Sequence, residues 1–298
     1  MRAALVSSFG GPEQVEIADV PVPVPGPGQV RVRVAAAALN PVDAAVRSGL
    51  FGGDGRRLGL GWDVAGTVDA VGDGAGFTVG EEVVGLAHGP HKALGSHADH
   101  VVLDASALAP APASADAVHA ATLPLNGLTA AQALDLLALS AGQNLLVTGA
   151  AGALGGYAIQ LAVRHGLNVT ALAGTGDEEL VRSLGAHRFV PRTATSLPHG
   201  FDGVLDAAVL GAPALALVRD GGAYTGVRPP AQPPAERGVR TATVGVRADG
   251  ARLATLATLV DLGALTLRVA HTHPLADAAA AHARHAKGGL RGRIVLVP

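Results

Sequence analysis

Asn144-Leu145-Leu146-Val147-Thr148-Gly149-Ala150-Ala151-Gly152-Ala153-Leu154-Gly155-Gly156 is the stretch on which the fold turns. Its first five residues form a short apolar run closed by a glycine, which predicts a buried strand. Helical periodicity then runs from about Leu154 to His165. A strand, a glycine-rich turn and a helix in that order make an anion-binding geometry. The helix N-terminus offers N–H groups without intrahelical acceptors and the positive end of its dipole. Gly152 lets the backbone approach a pyrophosphate, and Gly155 permits close helix–strand packing. Ala150 stands where the usual G-x-G-x-x-G has its first glycine. A glycine-rich turn without a ligand is therefore the alternative.

Outward from that turn the pattern repeats. Asn168–Leu172 reads as a second strand and Glu178–Leu184 as a second helix; Phe201–Ala207 and Gly222–Gly226 continue the strands. A helical stretch at Ala130–Leu139 precedes the series. Prolines at 229, 230, 233 and 234 mark a loop before a strand at Thr241–Val246. Alternation of this kind implies βαβ units in a doubly wound parallel sheet. Before about Ser114 the texture is β-rich. Val15–Ile17, Val30–Val34, Gly66–Gly72 and Glu82–Leu86 are short strand patterns bounded by glycine and proline, as in a small barrel or sandwich. A helix near Leu275–His285 and a strand at Arg293–Val297 close the chain.

The composition narrows the function. With 298 residues, two domains are expected. The 22 Lys and Arg against 24 Asp and Glu leave a net charge of −2, and aromatics number eight (Phe 5, Tyr 2, Trp 1). Neither a phosphate-binding cationic field nor a base-stacking surface follows, so no nucleic-acid partner is expected. Cysteine is absent, which excludes disulfides, thiolate nucleophiles and Cys-ligated zinc. No apolar run approaches the ~18 residues of a membrane span, and the N-terminus lacks a signal-type apolar region. The expected location is cytoplasmic, with no membrane partner.

A dinucleotide site that prefers NAD carries an acid at the end of the second strand for the ribose hydroxyls. Here Leu172-Ala173-Gly174-Thr175-Gly176 holds none before Asp177. The pattern leans towards NADP.

Further stretches carry a resemblance. They are Leu39-Asn40-Pro41-Val42-Asp43 with Arg47-Ser48-Gly49, Gly61-Trp62-Asp63-Val64-Ala65-Gly66, Val79-Gly80-Glu81-Glu82-Val83 and Gly95-Ser96-His97-Ala98-Asp99. Leu123-Pro124-Leu125-Asn126-Gly127-Leu128-Thr129-Ala130, Arg182-Ser183-Leu184-Gly185-Ala186 and Gly292-Arg293-Ile294-Val295-Leu296 complete them. In this order and spacing the chain resembles the medium-chain dehydrogenase/reductase superfamily, and within it the zinc-free quinone oxidoreductase (zeta-crystallin-like) branch. The resemblance implies a GroES-like catalytic domain over 1–112 and 265–298, and a Rossmann nucleotide-binding domain over 113–264. It places the active site in the cleft between them. It implies NADPH as cofactor, a quinone or enone substrate and a homodimer built through the edge strand at Thr241–Val246.

By family position, cofactor contacts fall on Thr129, Gly149, Ala151, Gly152, Ala153, Leu154, Gly155, Thr175, Arg192, Ala207, Tyr224 and Gly226. The substrate pocket falls on Phe51, Trp62 and Asn126. Arg192 either supplies the charge for a 2′-phosphate or is a solvated loop arginine. Zinc-dependent relatives carry Cys and His where this chain has Asn40 and Trp62, so no metal is expected. His88, His91, His97 and His100 read as loop and strand-edge residues. Asn40 is the candidate amide donor to an enolate oxygen. Asp43 is assigned with it, either orienting the strand and its water or capping the turn beside Pro41. Arg56 and Arg57 either meet an acidic substrate or lie on a solvated loop. The expected activity is NADPH-dependent, zinc-free hydride transfer to a quinone or enone. The alternatives are a redox-inactive binding protein or a non-redox tailoring enzyme on the same fold.

Overall fold

The computed structural model describes residues 1–53 and 55–298. The chain divides into two compact units. The first takes Met1–Leu125, Ala248–Gly263 and Leu267–Pro298; the second takes Asn126–Arg247 and Ala264–Thr266.

The second unit is built on one six-stranded sheet. In spatial order its strands are Arg188–Pro191, Asn168–Ala173, Asn144–Thr148, Phe201–Asp206, Val218–Gly226 and Arg240–Thr243, all parallel. The first three in sequence run outward one way and the last three the other. The order reverses between Asn144–Thr148 and Phe201–Asp206, which makes their carboxyl ends the topological switch point. Register aligns those ends: Thr148 lies beside Leu172 on one side and Asp206 on the other. Central strands are buried on both faces, as a parallel sheet requires. Leu146, Leu172, Val204, Leu215, Val218 and Tyr224 form the core under one face.

The first unit is antiparallel in the main. Its central strand, Gln29–Leu39, alternates buried and accessible residues up to Ala35 and is then buried without a break. A bulge between Val34 and Ala36 shifts the pairing with Asp63–Val71. Beyond it the strand pairs with Arg293–Val297. Val30, Val32, Val34, Val64, Val83 and Val101 fill one core, and β-branched residues suit its pleated faces. A second core gathers Leu39, Val46, Leu58, Leu60, Leu275 and Leu296 around the Pro41–Arg47 and Ala278–Ala286 helices.

The doubly wound α/β sheet and the β-rich GroES-like unit are as the sequence implied, but the boundaries shift. Residues 113–125 and the Gly250–Asp261 helix fall in the first unit, not the second. The reason is contact. Gly250 opens that helix against Leu108 O and Ser106 O, so closely that a Cβ would meet the Ser106 carbonyl at 2.8 Å. The expected strand at Thr241–Val246 is observed as Arg240–Thr243. Arg2–Val6, His100–Asp104 and Val269–Pro274 are strands, and Pro41–Arg47 a helix, that the hydropathy pattern did not reveal.

Candidate active site

The nucleotide turn follows the Asn144–Thr148 strand. Gly149 takes φ +59°, a left-handed conformation that side chains disfavour, and this swings the chain towards the helix. Gly152 is the N-cap of the Ala153–Arg164 helix. A Cβ on Gly155 would collide with Gly149 O and lie 2.7 Å from Ala150 Cα, so only glycine lets the helix sit this close. Ala151, Ala153 and Leu154 complete the turn. The helix has 12 residues, and its first N–H groups have no carbonyl four residues back. This cradle fits a pyrophosphate.

Its floor is fixed by a buried network. Asp206 accepts from Thr148 Oγ1 at 2.6 Å, from Tyr224 Oη at 2.8 Å and from Gly211 N–H at 2.8 Å. Thr148 Oγ1 in turn accepts from Ala208 N–H at 3.0 Å. Ala207 is thereby held beside Gly149. Burial pushes the Tyr224 phenol well above its ordinary pKa, with Asp206 adding to the shift. The Tyr224 side chain is therefore committed to this network, and only its backbone and that of Gly226 are left for the cofactor role expected of them.

Thr175 and Arg192 follow adjacent strands at the same sheet end, where Ala173 pairs with Pro191. Arg192 N–H donates to Ala173 O at 2.7 Å, and its side chain is exposed. Thr175 Oγ1 lies 3.3 Å from Thr193 Oγ1. Asp177, the first acid after the second strand, accepts from Gly174 N–H at 3.0 Å and is buried, so its carboxylate closes a turn. Thr129 and Asn126 lie buried on the Pro124–Leu137 helix.

In the first unit Asn40 and Asp43 meet, but as structure. Asn40 caps the Pro41–Arg47 helix, and its N–H donates to Asp43 Oδ2 at 2.8 Å; Asp43 Oδ1 accepts from Gly61 N–H at 2.9 Å. The Asn40 amide nitrogen donates to Asp63 Oδ2 at 2.7 Å and to Ala38 O at 3.4 Å. Both amide hydrogens are taken and the side chain is wholly buried. The Asn40 amide is thus engaged with Asp63 within the fold. Asp43 thus caps the turn beside Pro41 and also holds the backbone at Gly61. Asp63 also accepts from Leu125 N–H at 2.5 Å. Burial outweighs these bonds and raises its carboxyl from 3.8 to about 7.

Trp62 is buried with Lys92 Nζ 4.5 Å over its ring and His88 edge-on at 5.3 Å. Burial lowers Lys92 from 10.5 to about 8. His91 Nε2 lies 2.8 Å from Phe51 O. The 87–92 loop therefore covers Trp62 and touches the backbone of Phe51, whose side chain stays exposed; sequence spacing did not signal this contact. The four histidines diverge: His97 is buried, and His100 opens a strand beside Asp69 at 3.2 Å. Among the described residues no group of three or more His, Cys, Asp or Glu could hold a metal ion. Arg57 reaches Glu16 at 3.6 Å on the surface. Among the described residues no helix is long and apolar enough to cross a membrane.

Two family profiles match, the alcohol dehydrogenase GroES-like domain over residues 26–113 and the zinc-binding dehydrogenase domain over 179–296. The 2-methylene-furan-3-one reductase of Solanum lycopersicum is 37% identical over 218 residues, 69% of this chain and 56% of the relative. The chloroplastic NADPH-dependent alkenal/one oxidoreductase of Arabidopsis thaliana is 36% identical over 255 residues, 81% of this chain and 66% of the relative. The chain thus spans somewhat more than half the length of these relatives. The quinone oxidoreductase structure from Coxiella burnetii superposes with a TM-score of 0.90 at 24% identity, covering 100% of this chain and 99% of that one.

Proposed function

Because the chain belongs to the medium-chain dehydrogenase/reductase superfamily, in its quinone oxidoreductase branch, we propose that it is an NADPH-dependent, zinc-independent reductase of quinones or α,β-unsaturated carbonyls. The observation that carries this reading is the cradle of Gly149, Gly152 and Gly155 at the sheet's switch point, with Thr175 and Arg192 on its flank.

The Ala153 and Leu154 N–H groups hold the pyrophosphate at the helix N-terminus. The Arg192 guanidinium and the Thr175 hydroxyl take the 2′-phosphate, a role that suits a planar fork of donors. Asp177 is turned onto Gly174 and offers nothing to ribose hydroxyls, which favours the phosphorylated cofactor. Gly226 and Thr129 face the nicotinamide carboxamide. The bound dinucleotide supplies a hydride from nicotinamide C4.

Zinc independence rests on donor chemistry. Asn40 offers only an amide and Trp62 only an indole, and neither is a usual zinc ligand. Without a Lewis acid, an isolated carbonyl is poorly polarised. A conjugated acceptor delocalises the incoming charge, and solvent returns the proton. Phe51 presents apolar surface suited to such a flat substrate. A second copy of the chain pairs through the edge strand Arg240–Thr243, whose outer side would otherwise be an aggregation liability.

The test is NADPH oxidation with an enone, a quinone and a saturated aldehyde, using C4-deuterated cofactor. Deuterium at the β-carbon of the enone product is the expected result. Deuterium on a carbinol carbon, or no turnover of any acceptor, would overturn the proposal.

A further inference from the structure

We propose that the first unit holds a small monovalent anion, such as chloride, in a buried site formed by Arg47 and His282. Arg47 ends the Pro41–Arg47 helix and is 7% exposed; His282 lies on the Ala278–Ala286 helix and is 1% exposed. Arg47 Nε and Nη1 have no hydrogen-bond partner within the protein, and neither has either ring nitrogen of His282. A buried guanidinium with two N–H groups unanswered is costly, and protein interiors rarely tolerate one. Among the described residues Arg47 has no carboxylate in ion-pair range, and Glu13 acts on it only as a more distant charge. Glu13 itself accepts from Gly11 N–H at 2.9 Å.

Burial depresses His282 and His285 first of all; Arg47 adds to both shifts, and Arg293 to that of His285. The acid closest in effect, Asp43, already accepts two backbone N–H groups. His97 bounds the other side, its ring 6.4 Å from that of His282. It points Nε2 at Ala38 O, 3.2 Å away, and leaves Nδ1 without a partner. A neutral water would satisfy one or two of these N–H groups and leave the charge uncompensated. An anion accepting from Arg47 Nε–H, Arg47 Nη1–H and one His282 N–H answers both. It would also tie the end of the helix that carries Asp43 to the C-terminal helix. The proposal is independent of the redox reading.

Thermal unfolding is followed in sodium chloride and in sodium gluconate at matched ionic strength. Chloride is expected to raise Tm by a few degrees along a saturating curve that gluconate does not reproduce. Arg47→Met and His282→Leu should each abolish that difference. Coincident curves in the two salts, or a chloride effect unchanged in both variants, would overturn the site. Should neither variant fold, crystals of the wild type grown in bromide decide. An anomalous peak within hydrogen-bond distance of Arg47 and His282 is expected, and water there without such a peak refutes it.

Discussion

Asp63 makes stability depend on pH in a way that can be measured apart from every other group. Its carboxyl is buried and raised from 3.8 to about 7. The sign follows from linkage. Between those values the folded chain keeps a proton that the unfolded chain has lost. The group's contribution is fully present below pH 3.8 and is lost as pH rises through 7. The full shift corresponds to on the order of 4 kcal/mol, at about 1.4 kcal/mol per unit. From pH 5 to pH 8 the accessible part is about 2–3 kcal/mol. Asp63→Asn is the reference. Its side-chain oxygen still accepts from Leu125 N–H, but its amide meets that of Asn40 and forces a rotation. That cost is independent of pH, so it changes the height of the curve and not its shape. Urea unfolding of both proteins should show the wild type losing about 2–3 kcal/mol relative to the variant across this range. A flat difference would mean that the carboxylate is ionised already at pH 5. The bonds from Asn40 and Leu125 would then outweigh burial, and the reasoning would fail.

Other outcomes follow from the same geometry. Arg192→Ala should raise the KM for NADPH at least tenfold and leave that for NADH nearly unchanged; equal losses with both cofactors in steady-state kinetics would remove Arg192 from the phosphate site. Gly155→Ala places a Cβ against the backbone of Gly149 and Ala150, so dinucleotide affinity, read by fluorescence titration, should fall at least tenfold and stability by about 2 kcal/mol or more. Tyr224→Phe removes a bond to buried Asp206 and should cost about 1.5–3 kcal/mol in urea unfolding. Lys92 is lowered from 10.5 to about 8, so the unfolded chain binds the extra proton in that window; wild-type stability should therefore rise relative to Lys92→Met between pH 8 and 10.5.

The strands and helices around the nucleotide turn were legible because local rules decide them. An apolar run of five, a glycine that can turn left-handed and a helical period leave few alternatives, and Asn144–Thr148 is observed with the predicted bounds. The site in the first unit was less legible because it depends on partners far apart in sequence. Nothing at Asn40 announces that Asp63 will stand opposite its amide. Lys92 was invisible for the same reason, since its environment is set by Trp62 thirty residues earlier. The Gly250–Asp261 helix has the length and period of a Rossmann helix, and only its seat on Leu108 assigns it elsewhere.

Strand pairing in the first unit also sets the order in which the chain can acquire structure during synthesis. Leu296 pairs with Ala37, and Ile294 with Leu39, so the Gln29–Leu39 strand waits for a partner made long after it to cover its edge. The second unit's sheet ends at Thr243, and it can close while that edge is still bare. The nascent chain therefore carries an apolar, unsatisfied strand edge until Arg293–Val297 has been made. Its flank Ala36–Leu39 has no charge to discourage pairing with another chain. Deletion of Arg293–Val297 should consequently be harmful out of proportion to the few residues removed, with aggregation rather than a loosened native state as the outcome.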